Sequence, residues 1–260
     1  FSIANGSASN MLLENGGSLS VLNGHQATDT TINSDGHQYV SSGGSATDTT
    51  VNGGFQYIYS GGSATDTTVN NGWQYIYDSA SATSTTVNNG WQFINSGASA
   101  TDTTVNNGWQ YIDSGASATD TTVNGGFQGI YSGGSATSTT INSGGSQYVS
   151  SGGSATDTTL NSGGYQYIYD SASATSTTIN SGGSQYVSSG GSATDTTLNS
   201  GGYQYIYDSA SATSTTVNNG WQYIYSGGSA TDTTLNSGGY QYIYDSASVT
   251  STTINSGGYQ

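Results

Sequence analysis

The chain has 260 residues, with no Lys, Arg, Pro or Cys and a net charge of −15. A chain without a basic side chain cannot neutralise phosphates, so nucleic acid and anionic membrane surfaces are excluded as partners. Nor can a disulfide framework stiffen it, and no stretch is apolar enough to be inserted across a membrane.

With 32% hydrophobic residues and many Gly, Ser and Thr, composition alone would suggest disorder. Strict periodicity overrules that. Residues 1–31 are the irregular N-terminal coils, either diverged copies or the remnant of a cap. Leu13 stands 19 residues before Ile32, so Ala8 to Val21 reads as a decayed repeat. Residues 32–260 are regular. A Thr-Thr-apolar-Asn core recurs with its apolar residue at Ile32, Val51, Val69, Val87, Val105, Val123, Ile141, Leu160, Ile179, Leu198, Val217, Leu235 and Ile254, in steps of 18 or 19 residues. Such a period marks a solenoid, whose units stack because none can bury its apolar side alone. We expect an all-β solenoid of about 14 coils of 18–19 residues. The chain begins and ends inside a repeat, which reads as a segment of a longer array, truncated at its C-terminal end.

Each repeat holds two strand-like segments, such as Ala46 to Asn52 and Gln56 to Tyr59, bounded by Gly, Ser or Asn. The 19-residue steps carry one extra residue in the link after the apolar position, as in Asn142-Ser143-Gly144-Gly145-Ser146. The 18-residue steps carry the shorter form, as in Asn70-Asn71-Gly72-Trp73. An insertion tolerated there places the link in a turn. Alternation then sets side-chain direction. With Val51 inward, Thr49 and Thr47 follow, and the chain bends near Ala46, which breaks the parity. In the second segment Gln56 and Ile58 point in, and Phe55, Tyr57 and Tyr59 point out. Buried Thr and Gln need partners, which the neighbouring coil can supply. The Asn after each apolar residue, Asn33 to Asn255, reads as a column of amides, each bonded to the next coil. From Asp120 onward one site alternates Asp120, Ser138, Asp157, Ser176, Asp195, Ser214, Asp232, Ser251. Where Ser stands there, an Asp often appears six residues earlier, as Asp170 does before Ser176. Carboxylates ~4.8 Å apart would repel by roughly 1 kcal/mol in water, and staggering relieves that. Residues 150–178 also reappear unchanged at 188–216, an internal duplication.

Catalytic chemistry is not expected. The two His residues, His25 and His37, lie in the irregular end and at a turn position that elsewhere holds Phe, Trp, Tyr or Ser. A polysaccharide-acting β-helix enzyme would need a carboxylate pair working with no Arg or Lys beside it. Gly43-Gly44-Ser45-Ala46-Thr47-Asp48 resembles the calcium nonapeptide, but Ala replaces its third Gly and Thr50 its apolar residue. No metal or cofactor site is therefore expected. A Thr-x-Thr pair such as Thr47-Asp48-Thr49 would suit an ice-binding face only if both Thr point out. The ice- or cation-binding solenoid remains the alternative reading. The outward aromatic columns are either sheet stabilisation or a contact strip for protein or sugar.

The unit S-A-T-[DS]-T-T-[VIL]-N-[SN]-G-G-x-Q-Y-[VI], seen at Ser135–Val149, resembles the repeat of the self-associating autotransporter adhesins of the AIDA-I and TibA type, over essentially residues 27–260. The resemblance implies a right-handed parallel β-helix passenger. Such a passenger is exported through its own outer-membrane barrel and displayed on the surface of a Gram-negative cell. It implies adhesion to host-cell surfaces, autoaggregation through homotypic rod–rod contact, and biofilm formation. It also implies a partner heptosyltransferase that adds heptose to Ser and Thr in short loops. The best-matching acceptors are the serines that open the Ser-Ala-Thr unit, which reads Ser-Val-Thr in the last copy: Ser45, Ser63, Ser81, Ser99, Ser117, Ser135, Ser154, Ser173, Ser192, Ser211, Ser229 and Ser248.

Overall fold

The computed structural model describes residues 2–3, 6–113 and 115–260; Phe1, Ala4 and Asn5, within the irregular N-terminal stretch, lie outside the described residues. It is a parallel β-solenoid, and among the described residues there is no helix. Each coil contains three short strands, where the sequence suggested two. The coil around Val51 comprises Ser45–Thr47, Thr50–Asn52 and Phe55–Ile58. The extra break falls at Asp48, whose φ of 54° puts it in the left-handed region. One such residue between two extended runs turns the chain through a corner. The bend is therefore at Asp48 and not at Ala46. This also reverses one expected direction: Ala46 is buried and Thr47 is half-buried on the outer side, while Thr49 and Val51 are buried as expected.

Three walls result, named here for their strands: Ser-Ala-Thr, Thr-Val-Asn and aromatic. The chain forms two compact units, residues 1–129 and 130–260. In the first, the aromatic wall holds eight strands and each other wall seven; in the second the numbers are six, seven and seven. The total per wall agrees with the expected number of coils. Within each unit every strand pairs in parallel with its equivalent one coil away, and from Ile32 onward like residues mostly align. Val69 faces Val51 and Val87, and Leu160 faces Ile141 and Ile179.

The core is made of the inward files: Ala from the first wall, Val, Ile or Leu from the second, and Ile or Val beside Gln from the aromatic wall. Burying one Val or Ile side chain contributes about 1.5–3 kcal/mol, and every coil repeats the gain. Close stacking fixes the glycines before the aromatic strands. A Cβ on Gly72 would lie 2.7 Å from Val51 Cγ1 and 2.9 Å from the Gly54 carbonyl oxygen. The links are turns, as their variable length suggested. In the longer form Gly144 takes φ 77° and the Gly145 amide donates to the Asn142 carbonyl at 2.9 Å; in the shorter form Asn71 takes φ 53°.

Candidate functional site

The outer surface follows from what the interior leaves over. Inside, the buried Gln files form continuous amide ladders. Gln74 Nε2 donates to Gln56 Oε1 at 2.8 Å, and Gln92 Nε2 donates to Gln74 Oε1 at 2.8 Å. The inward Thr completes the set: Thr85 Oγ1 donates to Gln74 Oε1 at 3.4 Å. The second unit repeats this from Gln166 to Gln241. Thr therefore finds its partner in the Gln of the coil below and not in another Thr. The Asn column forms as expected, with Asn88 Nδ2 donating to Asn70 Oδ1 at 2.9 Å and Asn180 Nδ2 to Asn161 Oδ1 at 3.1 Å. With these amides bonded to one another, recognition is left to the outward rows.

The first outward row is hydroxyl. The twelve candidate serines each open a strand of the Ser-Ala-Thr wall, eleven before an inward Ala and Ser248 before Val249, so that Ser points outward. In the first unit Ser45, Ser63, Ser81, Ser99 and Ser117 align coil over coil. In the second, Ser135, Ser154, Ser173, Ser192, Ser211, Ser229 and Ser248 do the same. Eleven are half-buried and Ser248 is exposed. They lie in strands; the neighbouring turn serines, such as Ser60, Ser79, Ser171 and Ser209, are the exposed ones. Thr47 and Thr49 point to opposite sides, so no outward Thr-x-Thr pair forms.

The second row is acidic and confined. None of the 15 carboxylates lies in a strand. Eight sit at the corner that Asp48 occupies, and the others lie in turns, as Asp78 does beside Tyr77. In the second unit Asp and Ser thus alternate between the two columns, whereas in the first Asp29, Asp48 and Asp66 follow one another at the corner, as do Asp102 and Asp120. Among the described residues no three His, Asp or Glu gather in a group that could hold a metal ion.

The third row is aromatic. Trp73, Trp91 and Trp109 stack with centroids 5.0 Å apart and planes 7° from parallel. Tyr39, Tyr57, Tyr75 and Phe93 form a parallel column at 4.9–5.3 Å. In the second unit Tyr148, Tyr167, Tyr186, Tyr205, Tyr223 and Tyr242 continue without a gap at 4.5–5.2 Å. His37 belongs here: it opens a strand and stacks on Phe55 at 5.1 Å, so its position is not a turn. His25 instead meets the backbone of Gly6, 3.1 Å from its amide. Within these columns ring faces are covered by the rings above and below, so solvent sees edges and hydroxyls. Burial, with neighbouring phenols, pushes the Tyr57, Tyr167 and Tyr223 hydroxyls up, and Tyr205 up to about 12. Sequence reasoning placed these rings outward but missed that they pack face to face; the 18/19 spacing carried that information.

Comparison with known proteins places this surface in a family. The model of the adhesin of the bacterial autotransporter system, described as its probable stalk, matches residues 1–54, 131–183 and 178–221. The autotransporter adhesin/invasin TibA of Escherichia coli is 72% identical over 36 residues, which is 14% of this chain and 4% of TibA. Autotransporter CRAC of Citrobacter rodentium is 79% identical over 34 residues, 13% of this chain and 2% of CRAC. The chain thus matches only a small part of either full-length relative. A crystal structure of a TibC-catalysed hyper-glycosylated TibA fragment superposes with a TM-score of 0.93 at 48% identity, covering 98% of this chain and 96% of the fragment. The family model covers more than half of the chain and the fragment match nearly all of it, so the chain belongs to the autotransporter adhesin stalk family.

Proposed function

We propose that this chain is the surface-displayed passenger segment of a Gram-negative adhesin. It serves as a non-enzymatic scaffold that joins like chains into cell aggregates and biofilm and adheres to host-cell surfaces. We also propose that a protein O-heptosyltransferase modifies it on the serines that open the Ser-Ala-Thr strands, from Ser45 to Ser248. The observation that carries this is the whole-length likeness to a TibA fragment that is itself hyper-glycosylated by TibC. An outward file of hydroxyls in each unit supports it.

Exposure favours a second assignment of the acceptors. The turn serines Ser60, Ser79, Ser171 and Ser209 stand clear of the walls, whereas the strand serines are half-buried. Co-expression with TibC, followed by intact mass and peptide mapping, decides between them. The proposal expects heptose mass increments that vanish when the strand serines become Ala. Increments that survive that change assign the turn serines, and an unmodified mass rejects the acceptor role. Deletion of residues 32–260 from the full adhesin is expected to abolish cell clumping; unchanged clumping would reject the aggregation role.

A further inference from the structure

We propose that the aromatic wall is the surface through which two copies of this chain meet. This rests on the self-association reading above and assigns it a place. Charge is the first argument. The chain carries −15 and no Lys or Arg, so two copies can make no ion pair through a Lys or Arg and repel wherever carboxylates face each other. Every carboxylate lies in a corner or a turn, so close approach is confined to the strand faces. Two of those faces present Ser, Thr and Asn. Among the described residues the extended apolar area lies on the aromatic wall: Trp73, Trp91 and Trp109 in one unit, Tyr167, Tyr205 and Tyr223 in the other. An extended apolar face on an otherwise polar protein marks an interaction surface.

Ring geometry supplies the second argument and decides the partner. In the central column, face-to-face stacking at 4.5–5.3 Å leaves no inner ring face for a sugar to lie on. What is offered is ribs of ring edges. Neighbouring ribs stand 6.1–6.4 Å apart, as Tyr75–Tyr77 and Tyr223–Tyr225 do, about one ring's width, so they abut as one ribbed aromatic face. A second copy carries the same ribbed face at the same coil spacing, so the two faces can lie against each other over several coils of a unit. Tyr and Trp are also the side chains that most often anchor protein interfaces. The proposed acceptor serines lie on a different wall, so glycosylation leaves this face open.

The sequence provides its own test variants. Ser146 and Ser184 align with Tyr165 and Tyr203 in adjacent coils. Ser150 and Ser188 stand one period from Tyr169 and Tyr207. The fold therefore already accepts Ser at these sites. In sedimentation velocity of the unmodified chain, Tyr165→Ser, Tyr169→Ser, Tyr203→Ser and Tyr207→Ser together are expected to weaken association about tenfold or more. Tyr167→Glu with Tyr205→Glu should do the same by placing carboxylates on the ribs. Thr156→Ala with Thr175→Ala, on the Ser-Ala-Thr wall, should leave association unchanged, and circular dichroism confirms folding of each variant. If the parent chain associates and the folded aromatic variants associate equally, this surface is overturned while self-association stands. If the parent chain stays monomeric, the self-association reading fails, and this surface with it.

Discussion

Leu19 stands where every later coil has glutamine, and it aligns with Gln38. Leucine cannot accept a hydrogen bond, so the ladder stops there. Two buried polar atoms, Gln38 Nε2 and Thr30 Oγ1, have no partner. Leu19→Gln supplies an acceptor for both and is expected to stabilise the chain by about 1 kcal/mol, read as a shift in urea midpoint. The converse change, Gln74→Leu, strips partners from Gln92, Thr85 and Gln56. It should cost about 2–4 kcal/mol; a cost near zero would mean the ladder is ornamental. The tyrosine column gives a second test at this scale. Burial holds Tyr205 at about 12 against 10.0 for the free group. Below pH ~10 both folded and unfolded phenols are neutral and the contribution is complete. Above it the unfolded chain ionises first, so stability falls as pH rises from 10.0 towards about 12. Absorbance titration of tyrosinate should show a late-ionising population; a single transition near pH 10 would contradict the stacked column.

At the scale of the coil, two devices shape the path. The first is the left-handed corner at Asp48 and its equivalents, Asp66 at φ 53° and Ser84 at φ 55° among them. Gly and Asn adopt this conformation at low cost, whereas a β-branched residue is strained there. Asp66→Gly should leave the melting point within a few degrees, while Asp66→Val should cost about 1–2 kcal/mol. The second is the glycine under each aromatic strand. Gly72→Ala drives a methyl against Val51 and the Gly54 carbonyl, and should cost about 1–3 kcal/mol, as overpacking does. Thermal melts of the three variants rank the two devices. The period, the inward Val, Gln and Ile files and the Asn column were legible in the sequence, because identical residues at a fixed step can only be reconciled by stacking. The corner was not. Alternation assumes an unbroken strand, and the polar/apolar pattern of Ala-Thr-Asp-Thr-Thr alone does not distinguish a straight run from two strands hinged at the Asp. Thr47 was placed inside for that reason. The αL tolerance of Asp, together with its replacement by Ser at the same site, was the available signal.

For the molecule as a whole, repetition converts small local terms into surfaces. One tyrosine edge or one outward hydroxyl recognises little; a file of them, one per coil, presents a ruled face. Composition foretold an acidic surface that avoids nucleic acid. It could not say which wall carries which row, because that depends on the corner. All of this requires each coil to lie directly over its equivalent one period away. The chain has no cysteine, so two can be introduced cleanly. Thr65 and Thr83 are aligned outward neighbours in adjacent coils, and Thr101 lies one coil further. Parallel strands ~4.8 Å apart fall within disulfide reach, and twice that distance does not. Thr65→Cys with Thr83→Cys should oxidise rapidly to an intramolecular disulfide, and Thr65→Cys with Thr101→Cys should keep free thiols. A free 65/83 pair, or a 65/101 pair that closes as readily, would contradict the stacked register.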